Sequence, residues 1–309
     1  MGNAVKCCVP EKGNTMADDD LAALRSGSTN KEGQPAEASV SQKKAASLLK
    51  DFNASGDDVK ELTAAQLSKL QPVERFEKLF PFYRMDINGF QLRTKQAKKL
   101  YADRRGITRF ETILEVRLSD LQTVFKPHES WNALNDPSSD FVSFLRDTCA
   151  PSEEEKADGD VETDDDTDNP HISLFHLRCI ALLWCDGSNK EKGFELYDMM
   201  QDNDQPSIAA SDKDFLPCFN FILKMATELT YKLGPKYLDL GGEQYTSVTD
   251  DEIAQKSSEE VFESLSEDFL DDVFGSESTL SRKEYEEICV EKVPWLFSPK
   301  EIRKKLEYS

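Results

Sequence analysis

One short phrase recurs four times in this 309-residue chain and constrains its fold more than any other feature. A single aliphatic residue is followed by three residues, then by an acid or its substitute. The instances are Ile107-Thr108-Arg109-Phe110-Glu111, Ile172-Ser173-Leu174-Phe175-His176, Ile208-Ala209-Ala210-Ser211-Asp212 and Leu280-Ser281-Arg282-Lys283-Glu284. Helical spacing of apolar residues follows the first three, as in Leu177, Ile180, Ala181 and Trp184 or Phe215, Phe219, Ile222 and Leu223. Each phrase therefore predicts a loop that opens into a helix. Helix-start signals recur elsewhere, at Ser188–Glu191, Ser257–Glu260 and Ser298-Pro299-Lys300-Glu301. Val73, Phe76, Leu79 and Phe80 share one helical face. Alternating runs rich in β-branched residues are hard to find, so the predicted class is all-α.

The phrase fits the end of an EF-hand loop, where the aliphatic residue pairs with a sister loop and the twelfth position supplies a bidentate carboxylate. The stretch from His171 to His176, then Leu182-Leu183-Trp184, then Asn189-Lys190-Glu191-Lys192-Gly193-Phe194-Glu195-Leu196-Tyr197-Asp198, resembles the neuronal calcium sensor and calcineurin-B-like group. Ile172 and Ile208 stand 36 positions apart, close to the spacing of linked hands in that group. The resemblance covers roughly residues 75–295 and is one of pattern. It implies two lobes of paired, degenerate helix-loop-helix units, with Ile107 beside Ile172 and Ile208 beside Leu280. The expected organisation is a tether over 1–60, an N-terminal lobe over 61–187 and a C-terminal lobe over 188–309. An acidic insertion at 150–170 would lengthen the second loop, and a polar one at 241–256 would lengthen the last link.

Calcium loops need oxygen ligands at alternate positions and a carboxylate at the twelfth. Counted back from Ile107, the first loop starts at Leu100 and carries Arg and Leu where ligands belong. The second ends at His176, and the fourth begins at Val273. The third keeps four acids, Asp198, Asp202, Asp204 and Asp212, and these are the candidate metal ligands. Its three extra residues predict no binding or weak Ca²⁺ binding, on the order of 10⁻⁴ M or poorer. Asp86-Ile87-Asn88-Gly89 reads as a turn.

Net charge is −21, from 59 acids against 38 bases. Such a chain repels nucleic acid and anionic membrane over long range, so nucleic acid is not an expected partner. The opening Met1-Gly2-Asn3-Ala4-Val5-Lys6-Cys7-Cys8 supplies another route to a membrane. Gly2 can take myristate, and Cys7 and Cys8 can take palmitate, the second signal that stable anchoring needs. Lys6 departs from the usual Ser or Thr. Seven cysteines at irregular spacing, with no CxxC pair, fit neither a disulfide framework nor a zinc site.

Three histidines and no GxSxG, HExxH, Walker A or GxGxxG pattern argue against an enzyme. The expectation is a regulatory protein held by acylation at the cytoplasmic face of a membrane. There it would capture an amphipathic helix from a protein partner, with calcium sensing weak or lost. The alternative is a calcium-independent scaffold or adaptor at a membrane or ciliary structure.

Overall fold

Helices begin in this chain where a polar side chain can satisfy the open amides of a first turn. The computed structural model describes residues 64–109, 113–151, 169–201, 207–212, 215–238 and 240–308. Helix α1 (Pro72–Leu79) starts at a proline, and a short 3₁₀ turn, Pro81–Arg84, follows it. Asp86 then accepts from the Gly89 amide at 2.8 Å and opens α2 (Ile87–Arg105). The sequence Asp86–Gly89 is thus a helix N-terminus rather than a turn. Gly106, at φ 67°, ends α2 in the left-handed conformation that glycine adopts without strain.

Strand β1 (Glu115–Arg117) leads into α3 (Leu118–Phe125), and a 3₁₀ segment, Glu129–Asn135, precedes α4 (Asp140–Thr148). Strand β2 (His171–Ser173) leads into α5 (Leu174–Trp184). Ser188 and Glu191 form the expected capping box and open α6 (Asn189–Met200). Strand β3 (Ser207–Ala209) precedes α7 (Phe215–Lys224), which passes through a π turn, Met225–Leu229, into α8 (Thr230–Tyr237). Thr249 caps α9 (Asp250–Lys256), so part of the expected 241–256 insertion is helical. Helix α10 (Glu259–Phe274), strand β4 (Thr279–Ser281), helix α11 (Arg282–Glu291), a 3₁₀ turn at Pro294–Phe297 and helix α12 (Pro299–Tyr308) complete the chain. The class is helical, as expected, and among the described residues the strands are four three-residue segments.

Those segments make two antiparallel ribbons. In one, Ile208 stands opposite Leu280, as the repeated phrase predicts. In the other, Ile172 stands opposite Val116, not Ile107. The physical reason is the length of α2. It runs on to Arg105, which makes Leu100 helical and leaves Ile107 only two residues beyond the helix end, too soon for a loop to turn back. Val116-Arg117-Leu118-Ser119-Asp120 has the same spacing and is the true first phrase.

All described residues belong to one compact unit, and their buried apolar side chains form a continuous cluster from Phe76 to Leu306. Phe80 meets Phe141, Phe144 and Trp184 edge-on at 5.3–5.9 Å, and Phe82 meets Trp131 at 4.7 Å. Such pairs add about 0.5–1.5 kcal/mol each beyond their area. Leu79, expected on the same face as Phe76, is 38% exposed. Helix α6 packs along α11, so closely at Gly193 that an added Cβ would lie 2.8 Å from Cys289 Cβ.

Candidate functional site

The acid four residues past each buried aliphatic turns back on its own helix start. Asp120 accepts from the Arg117 amide at 3.3 Å, Asp212 from the Ala209 amide at 2.6 Å, and Glu284 from the Ser281 amide at 2.9 Å. His176, in the fourth such place, stacks on Phe221 with ring centroids 4.4 Å apart. The Asp120 and Glu284 carboxylates thereby cap the starts of α3 and α11.

Asp198 and Asp212 are not brought to a common point by any contact. Arg282, at the start of α11, donates to Asp198 at 2.8 Å and lies 3.3 Å over the Phe194 ring. Asp202 and Asp204 lie outside the described residues. Among those residues, no three His, Cys, Asp or Glu side chains are grouped to hold a metal ion. Of the two described candidates, Asp198 is paired with Arg282 and Asp212 with the Ala209 amide. Gly2, Cys7 and Cys8 also lie outside the described residues. Among the described helices, none is long and apolar enough to cross a membrane.

A polar cluster sits at the β1–β2 ribbon. Glu115, 7% exposed, accepts from Tyr101 at 3.4 Å and lies 2.8 Å from His171 Nδ1. Asp120 is fully buried, and the Arg104 guanidinium stands 2.9 Å from its Oδ1. Burial pushes the Asp120 carboxyl up from its ordinary range, against the pull of Arg104 and the Arg117 amide. Glu115 also raises the Tyr101 hydroxyl, an effect second to burial.

Among the described residues of the second half, an aromatic cluster packs against the segment Pro294–Tyr308. Phe219 of α7 and Phe269 of α10 lie 4.6 Å apart, and Trp295 meets both edge-on at 6.1 and 6.2 Å. Leu296, Phe297, Ile302 and Leu306 are all buried with it. Ile302 and Leu306 are one turn apart, so α12 lays a single apolar stripe on the body. Its polar side is tied down as well. Arg303 reaches Glu77 of α1 at 2.8 Å and donates to the Ala226 carbonyl in the π turn at 2.9 Å. Lys300 reaches Glu74 at 2.8 Å, and Lys305 sits 4.6 Å over the Trp295 ring. From below, the buried Lys192 ammonium donates to the Phe297 carbonyl at 3.2 Å. Burial lowers that lysine to about 8.

The Ser298-Pro299 helix start was expected from the sequence, whereas the docking of the segment was not. Its signals were a dense apolar run, Pro294-Trp295-Leu296-Phe297, then a serine–proline helix start, then aliphatic residues four apart. A small cavity of about 20 Å³ lies beside it, lined by Tyr231, Ile253, Arg303 and Leu306 among others, with room for about one water.

The chain matches no family model, no curated protein and no solved structure.

Proposed function

We propose that this chain is a membrane-tethered regulatory binding protein of EF-hand-like architecture that captures an amphipathic helix from a protein partner. The observation that carries this reading is the seating of Pro294–Tyr308. An aromatic–aliphatic run and a short amphipathic helix, with bases opposite Glu74 and Glu77, fill a groove between helices. That is the helix-in-groove mode of recognition, used here within one molecule. A partner would take the same place by presenting an aromatic anchor followed by a basic amphipathic turn. The four helix–loop–strand–helix units and the Ile208–Leu280 pairing support the EF-hand-like part. Gly2, Cys7 and Cys8 support acylation and a place at the cytoplasmic face of a membrane. Neither nucleic acid nor an enzymatic reaction enters this reading.

A calcium-independent scaffold is the second reading, favoured by one observation. Arg282 and the Ala209 amide engage the Asp198 and Asp212 carboxylates that a calcium loop would need.

The test uses the chain's own segment as probe. A labelled peptide of residues 293–309 should bind the unmodified protein weakly, because the groove is filled. A Trp295→Ala, Arg303→Ala protein, folded by circular dichroism, should bind it at least tenfold more tightly. A folded variant that takes up no peptide would overturn helix capture and leave the scaffold reading.

A further inference from the structure

Helices α5 and α7 pack against each other through matched turns. His176 of α5 stacks on Phe221 of α7, with ring centroids 4.4 Å apart. One turn on along α5 and one turn back along α7, Cys179 Sγ stands 3.5 Å from Cys218 Sγ. The two helices thus run antiparallel at this contact, and successive rungs of side chains bring the sulfurs together. Both cysteines are buried and unbridged. Cys289, by contrast, has the Tyr285 hydroxyl as a hydrogen-bond partner.

A disulfide holds its sulfurs about 2.0 Å apart, so closing this pair takes an approach of roughly 1.5 Å shared between two side chains. The positions bridged lie 39 apart in sequence, one on the helix that follows β2 and one on the helix that follows β3. A bond between them would tie two helix units together and remove freedom from the unfolded chain.

We propose that Cys179 and Cys218 are an oxidisable dithiol, which a hydroperoxide converts to a disulfide that staples α5 to α7. With hydrogen peroxide, one sulfur attacks the O–O bond. An S–O bond forms, the O–O bond breaks, and the thiol proton leaves with the departing oxygen as water. The second sulfur then attacks the sulfenic acid. An S–S bond forms, the S–O bond breaks, and the second thiol proton leaves in another water. The two sulfurs lose two electrons, and the peroxide gains them.

Burial holds the Cys179 thiol well above its ordinary range, so the reactive thiolate is scarce in the closed protein. Oxidation therefore proceeds through local opening of the α5–α7 contact. The staple answers sustained oxidant rather than a brief pulse, and it closes the opening that admitted the oxidant.

The test uses full-length protein with Cys7→Ser and Cys8→Ser, which removes the adjacent N-terminal thiols. It is exposed to excess hydrogen peroxide for hours, alkylated, digested without reductant and mapped by mass spectrometry. The dominant cross-link should join the Cys179 and Cys218 peptides and disappear on treatment with dithiothreitol. The oxidised protein should melt about 5–15 °C above the reduced one. Cys218→Ala should abolish the cross-link and the rise in Tm together, whereas Cys185→Ala should keep both. The comparison of oxidised with reduced parent protein stands even where a cysteine variant fails to fold. The inference is overturned by absence of the cross-link after prolonged exposure, by a dominant cross-link to another cysteine, or by a Cys179–Cys218 disulfide that leaves Tm unchanged or lowers it.

Discussion

Arg303 of α12 stands 2.8 Å from Glu77 of α1, joining two helices whose sequence positions differ by 226 residues. Both side chains are nearly buried, at 10% and 12% exposure. Removing one partner of such a pair leaves the other charge uncompensated, at a cost of about 3–5 kcal/mol. Arg303→Ala should therefore lower stability by that order in urea unfolding. Lys300→Ala, at a more exposed pair with Glu74, should cost under about 1 kcal/mol. Equal losses would mean that the clasp is not centred on Arg303.

The π turn that receives Arg303 runs into a tight contact at Gly234. A Cβ added there would lie 1.8 Å from the ring of Tyr245, whose hydroxyl donates to the Thr230 carbonyl at 3.0 Å. Gly234→Ala should displace that ring and cost about 1–3 kcal/mol. Because the clash is with one side chain, Tyr245→Ala should make the second change far less costly. A double-mutant cycle checks this, and strictly additive losses would contradict it.

Much of the fold was legible because its signals are local. The Ser188–Glu191 capping box, the Ser298-Pro299 start and the aliphatic Ile208 and Leu280 each depend on a few neighbouring residues, and each stands where its pattern placed it. Ile107 misled for the opposite reason. Its phrase is as good as that of Val116, and only the extent of α2, set by Gly106 and by packing against α3, distinguishes them. The groove was less legible still. Nothing local says that Trp295 will meet Phe219 and Phe269, or that Lys192 will meet Phe297, because those contacts join separate helices. Likewise, nothing near Asp198 in the sequence announces Arg282, 84 residues away, as its partner.

Calcium is expected to bind weakly or not at all. Calorimetric titration of the full chain in physiological Mg²⁺ should give no saturable site tighter than about 10⁻⁴ M. Whatever saturable binding exists should vanish in Asp198→Asn with Asp212→Asn. A micromolar site that survives both changes would place the ligands elsewhere, with the ten acids of 152–168 the next set to alter.

Arg104 should matter chiefly while Asp120 is ionised. Arg104→Ala strands a fully buried carboxylate, a loss of about 1–3 kcal/mol at neutral pH. Burial raises the folded pKa of Asp120, so the folded state holds its proton more tightly than the unfolded state does. Stability from this group is present at low pH and declines as pH rises through the raised value. The penalty of Arg104→Ala should accordingly shrink toward pH 4, where the neutral carboxyl needs no counter-charge. A penalty independent of pH between 4 and 7 would show that Arg104 acts through its contact with Ser119 instead.

Lys192 provides the complementary pH test at the C-terminal segment. Its ammonium is buried, and burial lowers its pKa from 10.5 to about 8. The unfolded state therefore holds the proton more tightly than the folded state. Stability from this group is fully present above about 10.5, falls as pH drops through the interval, and is lost below about 8. Near neutral pH the protein carries a buried charge that donates to the Phe297 carbonyl. Lys192→Met keeps the length of the side chain and removes the charge. It should be neutral or stabilising at pH 7, as replacement of buried charge by apolar volume often is. Its gain over the unmodified protein should then narrow as pH rises to 10, because neutral Lys192 no longer bears the desolvation cost. Thermal unfolding of both proteins at pH 7, 8.5 and 10 measures the difference directly and cancels the titration of the buried tyrosines and cysteines common to both. A Lys192→Met protein less stable at pH 7 by more than about 2 kcal/mol would show that the hydrogen bond to Phe297 outweighs the cost of burying the ammonium.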